Sequence, residues 1–170
     1  MPPGYAQPGY TMAPAVRQGF LIGFALGGGS MNCQDCPDED ALKGLGLEFH
    51  IGGLLTPSLG LMFDGSGISH QFEDEASLVQ AVSTIAVQFW VVPQFWLKVG
   101  FGRGQLSATG KQGEMIWESE SGSAALFALG FEIIHSDTFG LDIQLRGATV
   151  EYDHYDTFTN GSLLLGANWY

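Results

Sequence analysis

The stretch GLDIQLRGATVEY, residues 140–152, alternates between apolar and polar side chains at every second position. Its first part reads, in order, Leu141, Asp142, Ile143, Gln144, Leu145 and Arg146. Successive side chains of a β-strand point to opposite faces, so this pattern predicts a strand with one apolar face and one polar face. The apolar positions of a surface helix recur every three or four residues, which this stretch does not do.

The same period of two recurs along the chain. We predict eight strands, at residues 19–27, 43–52, 58–66, 79–91, 95–106, 123–134, 139–151 and 160–170. The uncharged segment 76–97 also has the length of a membrane-spanning helix. However, Pro93 would break such a helix, and the many β-branched residues before it favour two strands joined by a turn. Long and short connections alternate, which is the layout of an outer-membrane β-barrel.

The composition supports this interpretation. Only 14% of the residues are charged and 45% are hydrophobic, so a water-soluble protein of 170 residues would be short of surface charge. The length suits one domain. The 18 acidic residues outnumber 6 basic residues, and the net charge of −12 argues against a nucleic-acid partner, because phosphate contacts require Lys and Arg.

The volume of a small barrel predicts which face of each strand points inward. Eight strands leave an interior just wide enough for side chains. The polar faces also carry many glycines, namely Gly23, Gly27, Gly44, Gly46, Gly60, Gly100, Gly102 and Gly130. The opposite faces carry Leu, Ile, Val and Phe, which would overfill a narrow lumen. We therefore expect the apolar faces to contact lipid and the polar faces to line the lumen.

Aromatic residues near the strand ends predict two interfacial girdles. The girdle at the short turns comprises Phe89, Trp90, Phe95, Trp96, Phe139, Trp169 and Tyr170. The girdle at the long connections comprises Trp117, Tyr152, Tyr155 and Phe158.

Charged and polar side chains on the inward faces predict a network inside the lumen. The network comprises Glu48, His50, Asp64, Lys98, Glu132, Asp142, Gln144 and Arg146. Buried charges must find partners, so we expect ion pairs that plug and rigidify the barrel. The alternative is a gated ion path, since charges inside a membrane also mark such paths.

The long connections hold thirteen of the 18 acidic residues. They are Asp35, Asp38, Glu39, Asp40, Glu73, Asp74, Glu75, Glu114, Glu118, Glu120, Glu151, Asp153 and Asp156. We expect an acidic rim that serves adhesion, contact with a partner, or contact with divalent cations, which prefer oxygen ligands. Whether these residues hold a metal stays open, and we expect no cofactor.

Cys33 and Cys36 lie in the first long connection and are the two cysteines of the chain. In an exported protein such a pair is expected to form a disulfide. A zinc site would require four ligands, and a redox motif would require a βαβ context that is absent here.

Residues 1–18 are rich in Pro, Gly and Tyr, which predicts a flexible N-terminal linker before a barrel domain at 19–170. This segment has neither the apolar run nor the basic start of a signal peptide. We therefore expect that an export signal has been removed from this chain.

The eight alternating segments, the unequal connections and the ending SLLLGANWY, residues 162–170, resemble small OmpA/OmpX-type bacterial outer-membrane β-barrel proteins. The resemblance covers residues 19–170. It implies an all-β, eight-stranded antiparallel up-and-down transmembrane β-barrel in the outer membrane, with both termini periplasmic. It also implies contact with outer-membrane lipid and lipopolysaccharide, and recognition of the last strand by the outer-membrane insertion machinery. In that strand the more apolar of the two faces comprises Leu163, Leu165, Ala167 and Trp169.

From these observations we predict a structural or interaction role, with an unidentified extracellular partner and no enzymatic activity. Three alternatives stay open. A soluble lipocalin-like barrel would have the same strands turned inside out and would bind an apolar ligand. A narrow porin-like channel would conduct ions. A lipid-modifying barrel enzyme would need catalytic residues, and the His-x-Ser pair of lipid A deacylase barrels is absent from this sequence.

Overall fold

The computed structural model describes residues 17–33, 41–72, 76–110, 114–119, 121–152 and 155–170, the side chains of 155 and 156 excepted. Nine strands are present in this part of the chain. They are β1 (Phe20–Cys33), β2 (Leu42–Thr56), β3 (Leu59–Gln71), β4 (Ser77–Val92), β5 (Phe95–Thr109), β6 (Met115–Glu118), β7 (Gly122–His135), β8 (Phe139–Tyr152) and β9 (Tyr155–Trp169). None of the described residues belongs to a helix that could span a membrane.

The eight long strands form a closed antiparallel barrel. Each long strand pairs with the next one along the chain, and β4 pairs with β5. β1 also pairs with β9, from Ile22 opposite Trp169 to Cys33 opposite Phe158. This last pairing leaves no free edge among the long strands, as a sheet in lipid requires. The predicted fold class is confirmed.

The strands extend further toward the long connections than the side-chain pattern predicts. β1 continues to Cys33, and β9 begins at Tyr155 instead of residue 160. The predicted long loop between the last two strands is therefore wrong, because Tyr152 and Tyr155 are already paired. The predicted loop after β5 also contains the short strand β6, which pairs with β5. Ladder hydrogen bonds join backbone groups, so pairing can continue where the apolar alternation ends.

The long strands point apolar side chains outward and polar side chains inward. Phe101 is 75% exposed and Leu163 is 60% exposed, whereas Lys98 and Asp142 are fully buried. The outward apolar side chains form a belt around the barrel, which we call the apolar belt. Such a surface is stable in contact with hydrocarbon, and its exposure to water would be unfavourable. A lipocalin-like barrel has the opposite arrangement, so the inside-out alternative is excluded.

The aromatic girdles are smaller than predicted. Trp90, Trp96 and Tyr152 are wrong assignments, because their side chains are buried inside the barrel. The Tyr170 hydroxyl also points inward and donates to Glu132. Each of these residues lies an even number of positions from an inward residue of its own strand. Residues at that spacing share a face, so these side chains also point inward.

The outward aromatic residues cluster near the short turns. Trp169 lies 5.7 Å from Phe24 and 5.3 Å from Phe139, measured between ring centroids. Phe89 is also exposed, on β4. Trp117 is exposed at the other end, where Phe158 packs against the core. The side chain of Tyr155 lies outside the described part of the structure.

If the outward face contacts lipid, the cost of placing a charge on it should depend on how deep the charge lies in the membrane. Replacing Leu145, at the middle of β8, by Arg should cost about 2–4 kcal/mol, because the guanidinium would lie in hydrocarbon. The control is Glu151→Arg, on the same face near the end of the same strand, which should cost about 0–1 kcal/mol. Urea unfolding in lipid vesicles measures both free energies. Equal costs would contradict the assignment of this face to lipid.

Candidate functional site

The inward polar side chains form three contact groups. The first, which we call the central ion-pair cluster, comprises Glu48, His50, Asp64, Lys98 and Arg146. It draws on β2, β3, β5 and β8, because alternation turns these positions inward and barrel closure brings the four strands around one lumen.

Two cations share two carboxylates in the central ion-pair cluster. Lys98 Nζ donates to Asp64 Oδ2 at 2.8 Å and to Glu48 Oε1 at 3.1 Å. Both terminal nitrogens of Arg146 donate to the Asp64 carboxylate, at 2.6 and 3.3 Å. This is the bidentate geometry of strong charge-assisted hydrogen bonds. Arg146 also lies 3.2 Å from Glu48, and His50 Nδ1 lies 2.7 Å from the same Glu48 oxygen.

The burial of this cluster makes each ion dependent on its partners. All five side chains are at most 4% exposed. Taking an ion out of water costs several kcal/mol, and close opposite charges with well-formed hydrogen bonds offset that cost. Removal of one partner would leave an uncompensated charge in the lumen.

Glu48, His50 and Asp64 also have the donor types of a metal site. One ligand atom from each can be chosen so that all three lie within 4.8 Å of one another. However, Lys98 and Arg146 already bind both carboxylates. A divalent ion would have to displace or approach two fixed cations, so this arrangement favours ion pairing over metal binding.

The second group, the Asp142 cluster, surrounds a buried carboxylate with uncharged donors. Asp142 accepts hydrogen bonds from Trp96 Nε1 at 3.0 Å, Gln144 Nε2 at 2.9 Å and Asn168 Nδ2 at 2.9 Å. Gly130 lies opposite Trp96 across the β5–β7 pairing, and a Cβ atom there would overlap the indole ring. A glycine at this position therefore allows Trp96 to fold into the lumen.

The third group, the mouth cluster, lies at the short-turn end and comprises Arg17, Trp90, Glu132, His135 and Tyr170. Glu132 Oε2 accepts from Arg17 at 2.6 Å, and Glu132 Oε1 accepts from Trp90 and Tyr170 at 2.7 Å each. His135 Nδ1 lies 2.7 Å from Glu132 Oε2. Burial, with the Glu132 charge adding to it, raises the pKa of the Tyr170 hydroxyl, which therefore stays protonated as a donor.

The rest of the lumen is also occupied by side chains. Gln80, Thr84 and Gln88 point inward from β4, each at most 1% exposed, and Gln80 accepts a hydrogen bond from Asn160 at 2.8 Å. Buried apolar side chains also line the lumen and include Val82, Leu106, Leu126 and Val150.

The structure distributes the predicted lumen residues over these groups. Five of the eight form the central ion-pair cluster, Asp142 and Gln144 bond to each other, and Glu132 lies in the mouth cluster. Further lumen residues were not among those predicted. Five of them bond within the Asp142 and mouth clusters, namely Arg17, Trp90, Trp96, Asn168 and Tyr170. Four of these five lie an even number of residues from an inward position of their own strand, as Trp90 does from Gln88 and Trp96 from Lys98. This spacing is the signal that could have placed them in the lumen. Arg17 precedes β1 and has no such signal.

Several predictions concern residues that the structure does not describe. Cys36 lies outside the described residues, so the disulfide from Cys33, the last residue of β1, stays a prediction. Residues 1–16 of the predicted linker also lie outside them, but Arg17 is only 3% exposed. In the acidic rim, Glu114, Glu118 and Glu151 are exposed. The remaining rim residues are not described, or in the case of Asp156 have no described side chain.

Comparisons with known proteins agree with this architecture. No protein-family model and no curated protein matches the chain. Neisserial surface protein A matches with a TM-score of 0.65 at 12% identity, over 88% of this chain and 96% of that one. Ail, the attachment invasion locus protein of Yersinia pestis, matches with a TM-score of 0.55 at 14% identity, over 90% and 98%. Identities this low relate the folds alone.

The closed barrel, the apolar belt and these likenesses define the class of the fold. It is that of the small bacterial outer-membrane β-barrel proteins, so the predicted resemblance is confirmed. In this class the short turns are periplasmic and the long loops extracellular. The mouth cluster lies at the short-turn end, which is the periplasmic end in this class of barrel.

The central ion-pair cluster predicts a large cost for losing one cation. Lys98→Met should lower the free energy of unfolding by about 3–5 kcal/mol, because Glu48 and Asp64 lose a shared partner. Lys43→Met, the same substitution at an exposed position, should change it by less than about 0.5 kcal/mol. Urea titration in vesicles, followed by tryptophan fluorescence, compares the two. A similar small change in both would mean that Lys98 has no structural role in the lumen.

Proposed function

We propose that this protein is a non-conducting, non-catalytic outer-membrane barrel that displays acidic loops on a rigid scaffold. The observation that carries the proposal is the occupation of the lumen by buried, mutually bonded side chains. Lys98, Arg146, Glu48 and Asp64 meet inside the barrel from four strands and are at most 4% exposed.

A plugged lumen follows from size and charge together. An eight-stranded barrel has room for side chains and little else. Conduction requires sites that an ion can enter and leave, whereas here the carboxylates are bound by fixed cations. Trp96 and the Arg17 side chain narrow the path further toward the periplasm.

Planar bilayer recordings test whether the side chains in the lumen block ion conduction. The purified protein should give no current steps, because ion pairs fill its lumen. Replacing Glu48, Asp64, Lys98 and Arg146 together by Ser removes two charges of each sign and should produce steps. Lys43→Ser combined with Glu118→Ser removes exposed charges of both signs and should stay silent. Steps from the unaltered protein would contradict the proposal, and a heat-modifiable gel band verifies folding of each variant.

The acidic loops indicate the chemistry of the extracellular partner. Glu114, Glu118 and Glu151 are exposed at the loop end, and the sequence adds ten more acidic residues there. The similar barrel Ail has a structure in complex with the heparin analogue sucrose octasulfate, matching this chain with a TM-score of 0.55 at 15% identity over 90% of it. A polyanion would be repelled by the acidic loops of the present chain. We infer that they contact cations or basic surfaces instead.

Binding to reconstituted vesicles tests this charge preference. Oligolysine should bind and be released by salt, because exposed charges are screened, whereas sucrose octasulfate should not bind. The variant Glu114→Gln/Glu118→Gln/Glu151→Gln should bind oligolysine more weakly. Asp137→Asn neutralises an exposed acid at the opposite end and serves as the control. Binding of the polyanion would refute the inferred preference.

Further partners follow from the class of barrel. We propose that the apolar belt contacts outer-membrane lipid and lipopolysaccharide, and that the insertion machinery recognises β9. Leu163, Leu165 and Trp169 are exposed on the outer face of β9, which supports its recognition as an apolar terminal strand.

A further inference from the structure

Arg17 reaches the lumen by a sharp turn in the backbone. Gly19 has a φ of 86°, a left-handed conformation that residues with side chains rarely adopt. The Gly19 carbonyl accepts a hydrogen bond from Leu54 N at 2.8 Å, which fixes the chain beside β2. The backbone therefore turns just before β1, and the Arg17 side chain lies inside the mouth of the barrel.

The walls around the Arg17 guanidinium combine aromatic faces with oxygen acceptors. Its central carbon lies 4.8 Å from the Trp90 ring centroid and 5.1 Å from the Tyr170 ring centroid. One terminal nitrogen donates to Glu132 and to the Pro93 carbonyl oxygen. The same nitrogen lies 2.9 Å from His135 Nδ1. The group is thus enclosed by two aromatic rings, a carboxylate, a backbone oxygen and the edge of the His135 ring.

This combination suits a guanidinium better than an ammonium ion. A guanidinium is planar, delocalised and weakly hydrated, so it stacks on aromatic rings and donates in its plane at the same time. An ammonium ion is compact and strongly hydrated, and would lose more hydration energy on entering the same space. The walls therefore suit a guanidinium group, with the hydrogen bonds named above made by one terminal nitrogen, while the buried Arg17 Nε has no hydrogen-bond partner among the described residues.

The walls are also held in place by bonds that do not involve Arg17. Trp90 N donates to Ser58 O at 2.9 Å, Glu132 N to Gln94 O at 2.8 Å, and Tyr170 N to Thr138 O at 3.1 Å. Trp90 Nε1 and the Tyr170 hydroxyl orient the Glu132 carboxylate. The two rings contact each other edge to face, with centroids 5.9 Å apart. Preorganised walls of this kind bind a ligand at low cost in conformational entropy.

We propose that the periplasmic mouth is a guanidinium-binding site, occupied in the native chain by Arg17 and able to bind a guanidinium group in trans when Arg17 is absent. In the native protein Arg17 is the ligand that docks the N-terminal segment onto the barrel. The chemical class of an external ligand is a small guanidinium compound or the arginine side chain of another polypeptide. The proposal does not depend on whether the lumen conducts.

Titration of the folded Arg17→Ala variant with ethylguanidinium tests the site. In detergent micelles, the indole N–H resonance of Trp90 should shift saturably, with a Kd on the order of 1 mM. The indole resonances of Trp96, Trp117 and Trp169 should not move, since they lie outside the site. Ethylammonium should bind at least about tenfold more weakly, because it cannot stack and donate in one plane.

Three controls separate the site from non-specific binding. The unaltered protein, whose site is filled, should show no shift of the Trp90 resonance. Adding Glu132→Gln to Arg17→Ala should abolish the response, because the carboxylate is lost. Adding Glu118→Gln, the same substitution at an exposed position, should leave the response intact.

Several outcomes would overturn the proposal. These are no saturable shift in Arg17→Ala, equal affinity for ethylammonium, or the same response in the unaltered protein. Arg17→Met keeps most of the aliphatic stem and replaces Arg17→Ala if that variant does not fold. If neither variant gives a heat-modifiable folded band, Arg17 is an inseparable part of the fold and the site has no exchangeable ligand.

Discussion

Backbone amide and carbonyl groups cannot be left unpaired in hydrocarbon, and the pairing of β1 with β9 is how this chain meets that constraint. Once the sheet is closed, each strand has one face toward lipid and one toward a narrow lumen. Leu145 and Phe101 can then lie only outside, and Lys98 and Asp142 only inside. The low charge content of the chain follows from the area of the outer face, which accepts almost no ions.

Closure also controls the electrostatics of the interior. Charged side chains turned away from lipid enter a space with little room for water, so each must be bonded to a neighbour. Asp64 bonds to Lys98 and Arg146, while Asp142 relies on uncharged donors and Glu132 on Arg17. These bonds connect strands that are distant in sequence. In the function proposed above, they rigidify the barrel so that its loops keep a constant arrangement.

The period of two predicted the eight long strands and their faces, as the positions of Leu145 and Lys98 illustrate, but not the full length of β1 and β9 or the short strand β6. The predictions were wrong where the type of residue was given more weight than its position in the alternation. Trp90 and Trp96 were assigned to a girdle because tryptophan is common there, yet glycine at 130 leaves room for the Trp96 indole inside. Arg17 was assigned to a linker by composition, and its burial depends on the Gly19 turn and on walls supplied by distant strands.

The sequence by itself determined that this chain forms strands, which side chains share a face, and that the apolar face meets lipid. These properties are local, since they depend on alternation along one strand and on the volume of its side chains. Only the tertiary structure decided which charges meet. Arg146 bonds to Asp64 across 82 residues, and Arg17 to Glu132 across 115, because strand register and closure set those distances and no local pattern encodes them.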